Sequence, residues 1–81
     1  MIRAIACQSV TQAEVVANVL EDAGCTVINF APNLGGVVIW IRRPEITHEN
    51  LLDVAWAKKT FLKINERLKL HGERLLDSCS F

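Results

Sequence analysis

Residues 36–41 read Gly-Val-Val-Ile-Trp-Ile, the most continuously apolar stretch of the chain. A run of that length, β-branched and aromatic with no polar alternation, predicts a strand that needs neighbours on both sides. A chain of 81 residues has room for one core and no second domain, so every other element has to be arranged around this strand.

Upstream, residues 2–7 are small or β-branched apart from Arg3 and stop at Gln8-Ser9, which predicts a short first strand. A helix start follows, because Ser9 with Gln12, or Thr11 with Glu14, has the spacing of a capping box. Ala13, Val16, Ala17, Leu20 and Ala23 recur at helical intervals, and Gly24 stands where a helix ends on a left-handed residue. Residues 26–30 predict a second strand, joined to the third by the turn-forming residues 31–36 as an antiparallel hairpin with a loose loop. After Arg42, Arg43 and Pro44, Thr47 reads as an N-cap with Glu49 in the first turn of a long final helix.

The expected fold class is α+β, in the order strand, helix, strand, strand, helix. A right-handed crossover makes the first two strands parallel, and the apolar third strand belongs between them. This gives a three-stranded mixed sheet of order 1-3-2 with both helices on one face. The order matches a ferredoxin-like domain without its last strand, which leaves the outer edge of the first strand open to a partner strand or a covering segment.

Val54, Ala57, Phe61, Ile64, Leu68, His71 and Leu75 alternate steps of three and four, the pattern of a helix seam. A second stripe, Leu51, Leu52, Ala55, Trp56 and Leu62, is confined to the first half, so that half is expected to face the sheet. If helical over 48–78, the segment runs about 45 Å and overhangs a small body, making 60–79 an arm whose Phe61, Ile64, Leu68 and Leu75 meet a partner. The alternative is that Gly72, preceded by Lys69 and His71, ends the helix and the remainder folds back onto the same core. Trp40 lies on the opposite sheet face from Ile39 and Ile41, and it marks an interface if that face is free of helices.

Nine basic and nine acidic side chains cancel, so no global field favours nucleic acid or an anionic membrane. Lys59, Lys63, Arg67 and Arg74 form a basic stripe along one broad sector of the last helix, but Glu66, Glu73 and Asp77 offset it and no aromatic is interleaved. No apolar run has the length of a membrane span or a signal peptide, and Cys7, Cys25 and Cys79 make no disulfide framework. The expectation is a cytoplasmic protein. His48 and His71 have no ligand at zinc spacing, so no metal or other cofactor is expected. Cys7 and Cys25, read as possible strand neighbours, have no positioned base to make a nucleophile, and no enzymatic constellation is visible.

The stretch Ser9-Val10-Thr11-Gln12-Ala13-Glu14-Val15-Val16-Ala17-Asn18-Val19-Leu20-Glu21-Asp22-Ala23-Gly24-Cys25 resembles small signal-transducing domains of the GlnB-like type, and ACT-like regulatory domains use a similar phrase. That resemblance covers the first half of the chain. It implies a ferredoxin-like sheet and a regulatory or adaptor role, usually in an oligomer. The leading expectation is therefore a non-enzymatic protein–protein interaction or regulatory module, a homodimer joined through its C-terminal helix. A small phage-type inhibitor or adaptor that blocks a host protein is one alternative, and a small-molecule-sensing regulatory domain is another.

Overall fold

The computed structural model describes residues 2–45, 50–79 and 81. Five elements follow one another: β1 (Ile2–Cys7), α1 (Val10–Asp22), β2 (Thr26–Asn33), β3 (Gly36–Arg42) and α2 (Asn50–Leu70). The sheet has the order β1-β3-β2, with the most apolar strand in the middle as its composition requires. Both neighbouring pairs are antiparallel, which corrects the expectation of a mixed sheet. The crossover through α1 does make β1 and β2 run the same way, but β3 separates them and no parallel ladder forms.

At the start of α1 the Ser9–Gln12 pair is the one used. The Gln12 N–H donates to Ser9 Oγ at 3.0 Å, and Gln12 Oε1 reaches back to accept from the Gln8 N–H at 2.6 Å. This satisfies two amides at the helix entrance. The hairpin is tighter than its composition implies. β2 extends through Pro32 to Asn33, which pairs with Gly36 and leaves only Leu34 and Gly35 as the turn. Pro32 is tolerated because β2 is an edge strand, where a missing N–H breaks no second ladder.

The main departure concerns the last helix. α2 ends at Leu70, because Gly72 takes φ +68° and closes the helix with a paired turn: the Glu73 N–H donates to Leu68 O at 2.9 Å and the Gly72 N–H to Lys69 O at 3.1 Å. Its 21 residues make a rod of about 32 Å, within the 35 Å long axis of the body. The overhanging arm is therefore corrected to the fold-back alternative. Residues 73–79 return along the body, and Phe81 is buried with its ring edge-on to Trp56 at 6.2 Å. Two amide side chains hold the returning segment. Gln12 Nε2 donates to Arg74 O at 2.6 Å, and Asn65 exchanges two hydrogen bonds with the main chain of Leu76 at 2.9 and 3.3 Å.

The core lies between the sheet and the two helices. Ile5, Cys7, Ile39 and Ile41 supply the sheet side, Val16 and Leu20 the α1 side, and Ile64 and Leu68 the α2 side. Ile64 and Leu68 are 0% exposed, so these two candidate interface residues are corrected to core. The first half of α2 is turned to the core in part, where Trp56 packs against it and Thr60 is buried. Val54 and Ala55, in the first half, are exposed, while the second half carries the buried ridge. Thr47, His48 and Glu49, together with the side chains of Leu51 and Leu52, lie outside the described residues.

Candidate interaction surface

Period-two alternation places Ile5, Cys7, Ile39 and Ile41 against the helices and sends their neighbours to the other side of the sheet. Register then brings those neighbours together. Ile2 pairs with Arg42, Ala4 with Trp40 and Ala6 with Val38 across β1 and β3. On the other side of β3, Asn29 pairs with Trp40 and Ala31 with Val38. The ladder slips between Val27 and Asn29, and this irregularity brings Ile28 out to the surface as well. The outcome is a face that is free of helices among the described residues, mainly apolar, with Trp40 41% exposed at its centre and the small side chains of Ala4 and Ala6 beside it. Arg42 occupies one corner, next to Ile2 and Thr26.

Trp40 is thus the sequence-selected residue that reaches a free surface on the sheet. Its companions Ile2, Ala4, Ala6 and Val38 were not singled out, and alternation within β1 and β3 is the signal that points to them once the register is known. Of the other interface candidates, Phe61 is half-buried against the core and Leu75 is exposed in the returning segment. The former ridge is split between them and the core, so it no longer forms one surface. The basic stripe is also divided. Lys59, Lys63, Arg67 and Arg74 are all exposed, but Arg74 has left the helix. Lys63 and Arg67 line a shallow groove against α1 together with Glu66 and Asp22, which sets acidic side chains among the basic ones.

Cys7 and Cys25 are buried and free, and they are not strand neighbours. Cys7 pairs opposite Val37 at one end of the sheet, whereas Cys25 precedes Thr26, which pairs opposite Arg42 at the other. Burial pushes the Cys7 thiol up from its ordinary 9.0 to about 11. Burial also raises Cys25, and the nearby Arg43 charge partly offsets this. Both thiols are held in their unreactive form. An alkylating reagent at about pH 8 therefore modifies exposed Cys79 first in the native chain and reaches Cys7 only on unfolding, as mass spectrometry of the modified peptides will show. The same shift sets a pH dependence. The unfolded chain ionises Cys7 near 9.0 while the folded chain holds the proton to about 11, so stability is intact below the first value and falls as pH rises toward the second.

Among the described residues no group of three or more His, Cys, Asp or Glu side chains forms a metal site, and no helix is long and apolar enough to cross a membrane. Comparison of the chain with family models, with curated proteins and with solved structures finds no match.

Proposed function

We propose that the protein is a non-enzymatic interaction module that self-associates through the open face of its sheet. The observation that supports this reading is the clustering of Ile2, Ala4, Ala6, Val38 and Trp40 on a face that the protein's own helices leave bare. Two packed copies give such a face what a single copy lacks. Each contributes a bulky tryptophan and, beside it, the shallow alanine strip that receives the other's tryptophan, which is the self-complementarity a two-fold interface demands. The corner arginines then favour the arrangement that keeps Arg42 of one copy away from Arg42 of the other.

Size sets the class of interface. Three strands of six to eight residues present a footprint of roughly 15 by 22 Å, and two such faces with their side-chain relief bury on the order of 1,000 Å² in total, the lower bound of a specific interface. An interface of that size belongs with weak, transient contacts, and dissociation in the micromolar range or above is expected. The resemblance of residues 9–25 to regulatory domains that usually work as oligomers agrees with this reading.

Sedimentation over micromolar to millimolar concentrations tests it. Wild type is expected to shift from monomer toward dimer, and Trp40→Lys to stay monomeric with an unchanged circular dichroism spectrum. A wild type that remains monomeric throughout would remove self-association. A dimer that survives Trp40→Lys would move the interface elsewhere.

A further inference from the structure

β1 is an edge strand bonded on one side only, to β3. Its other edge turns the N–H and C=O of alternate residues outward. The returning C-terminal segment travels along that edge in the opposite direction. It starts beside Gln12 near the Cys7 end, where Arg74 O is held, and finishes at the Arg3 end, where Cys79 and Phe81 share a depression with Arg3. This is the path a fourth strand would take, yet among the described residues no main-chain hydrogen bond joins the segment to β1. Gln12 and Asn65 moor it to the helices instead. A groove of about 470 Å³ remains between β1 and residues 75–78, floored by the edge from Ala4 to Gln8 and closed at one end by the Leu34–Gly35 turn.

We infer that this groove is a docking slot for one extended peptide strand, which adds to the edge of β1 and lies between it and the C-terminal segment. The inference goes beyond the sheet-face reading and uses the main-chain edge of β1, which adjoins that face at Ala4 and Ala6. Main-chain chemistry defines the occupant, since alternating donors and acceptors on a strand edge are satisfied by another extended backbone. The side-chain environment narrows it further. A strand bound here turns alternate residues toward Leu75 and Leu76 and the others toward the bare face beside Ala4 and Ala6, whose small size leaves room for bulky groups. Two leucines stand uncovered at the rim, Leu34 at 100% and Leu75 at 44% exposure, so apolar side chains at alternate positions of the peptide have partners. A single strand fits better than β1 of a second copy. That copy would bring its own C-terminal segment along the same edge, and the two segments would contend for one space.

The test is selection of short random peptides displayed against the immobilised full-length protein, followed by synthesis of an enriched peptide and amide hydrogen exchange by NMR. In the free protein the outward amides of β1 are expected to exchange fast. With the peptide, alternate amides within residues 4–7 gain protection of about tenfold or more, saturably. The same peptide N-methylated at alternate positions loses about tenfold or more in affinity in one of its two registers and not in the other. No enrichment, a footprint away from β1, equal binding of both N-methylated forms, or β1 amides already protected in the free chain would each overturn the inference. Self-association is read from mass and the slot from β1 amides, so failure of one is distinguishable from failure of the other.

Discussion

Leu68→Asp leaves the chain unfolded at room temperature. Leu68 is completely buried one turn after Ile64, in a core it shares with Ile5, Ile39, Ile41, Val16 and Leu20. Truncating a leucine in such a site to alanine costs about 2–5 kcal/mol, and a carboxylate there adds the penalty of an unpaired buried charge. A domain of this length has total stability of about 4–12 kcal/mol, which the substitution largely or wholly consumes. Leu70→Asp is the paired control. Leu70 is 82% exposed two residues away on the same helix, and its replacement is expected to cost about 1 kcal/mol or less, the effect of a carboxylate at the helix C-terminus. Far-ultraviolet circular dichroism and urea melts separate the two. A folded Leu68→Asp chain that had only lost a partner would instead restore the picture of α2 as an external seam.

Gly36→Ala is the second large effect, and it acts through the backbone. A β-carbon at the first residue of β3 would overlap the carbonyl oxygen of Cys7 and stand 3.1 Å from both the Cys7 carbonyl carbon and Gln8 Cα. None of these is the far end of a flexible side chain, so the close of β1 or the opening of β3 must move. The expected cost is roughly 3 kcal/mol, the upper end for overpacking a well-fitted site. Gly35→Ala, in open space at φ +77°, pays only the backbone preference, about 1 kcal/mol. Urea midpoints for the two alanine variants therefore differ although the sites are adjacent. Equal midpoints would mean that β1 does not end over the start of β3.

Much of the sheet was legible because its cues are local. The apolar run of β3 demanded a central place, Ser9 and Gln12 marked where α1 begins, and Gly24 stands at φ +97° just past its end. The last helix was not legible in the same way. Steps of three and four through Phe61, Ile64 and Leu68 describe one apolar ridge, and spacing alone does not say whether a partner or the chain's own sheet covers it. What decides is the turn at Gly72 together with the segment beyond it. That segment has no periodicity, and side-chain amides of Gln12 and Asn65 fix it through main-chain atoms of Arg74 and Leu76. Hydrophobic patterning carries no record of such bonds. The candidate surface was half legible. Alternation puts Trp40 opposite Ile39 and Ile41, but only the pairing of β1 with β3 shows that Ala4 and Ala6 lie next to it.

The bond from Gln12 to Arg74 ties the opening of the first helix to a residue 62 positions later. A ribosome has to deliver the chain past Arg74 before that clasp can close. The clasp is thus a late contact in synthesis, made only after the sheet and both helices have been delivered. A stop codon placed just before Arg74 should leave a chain that chaperones hold and proteases clear.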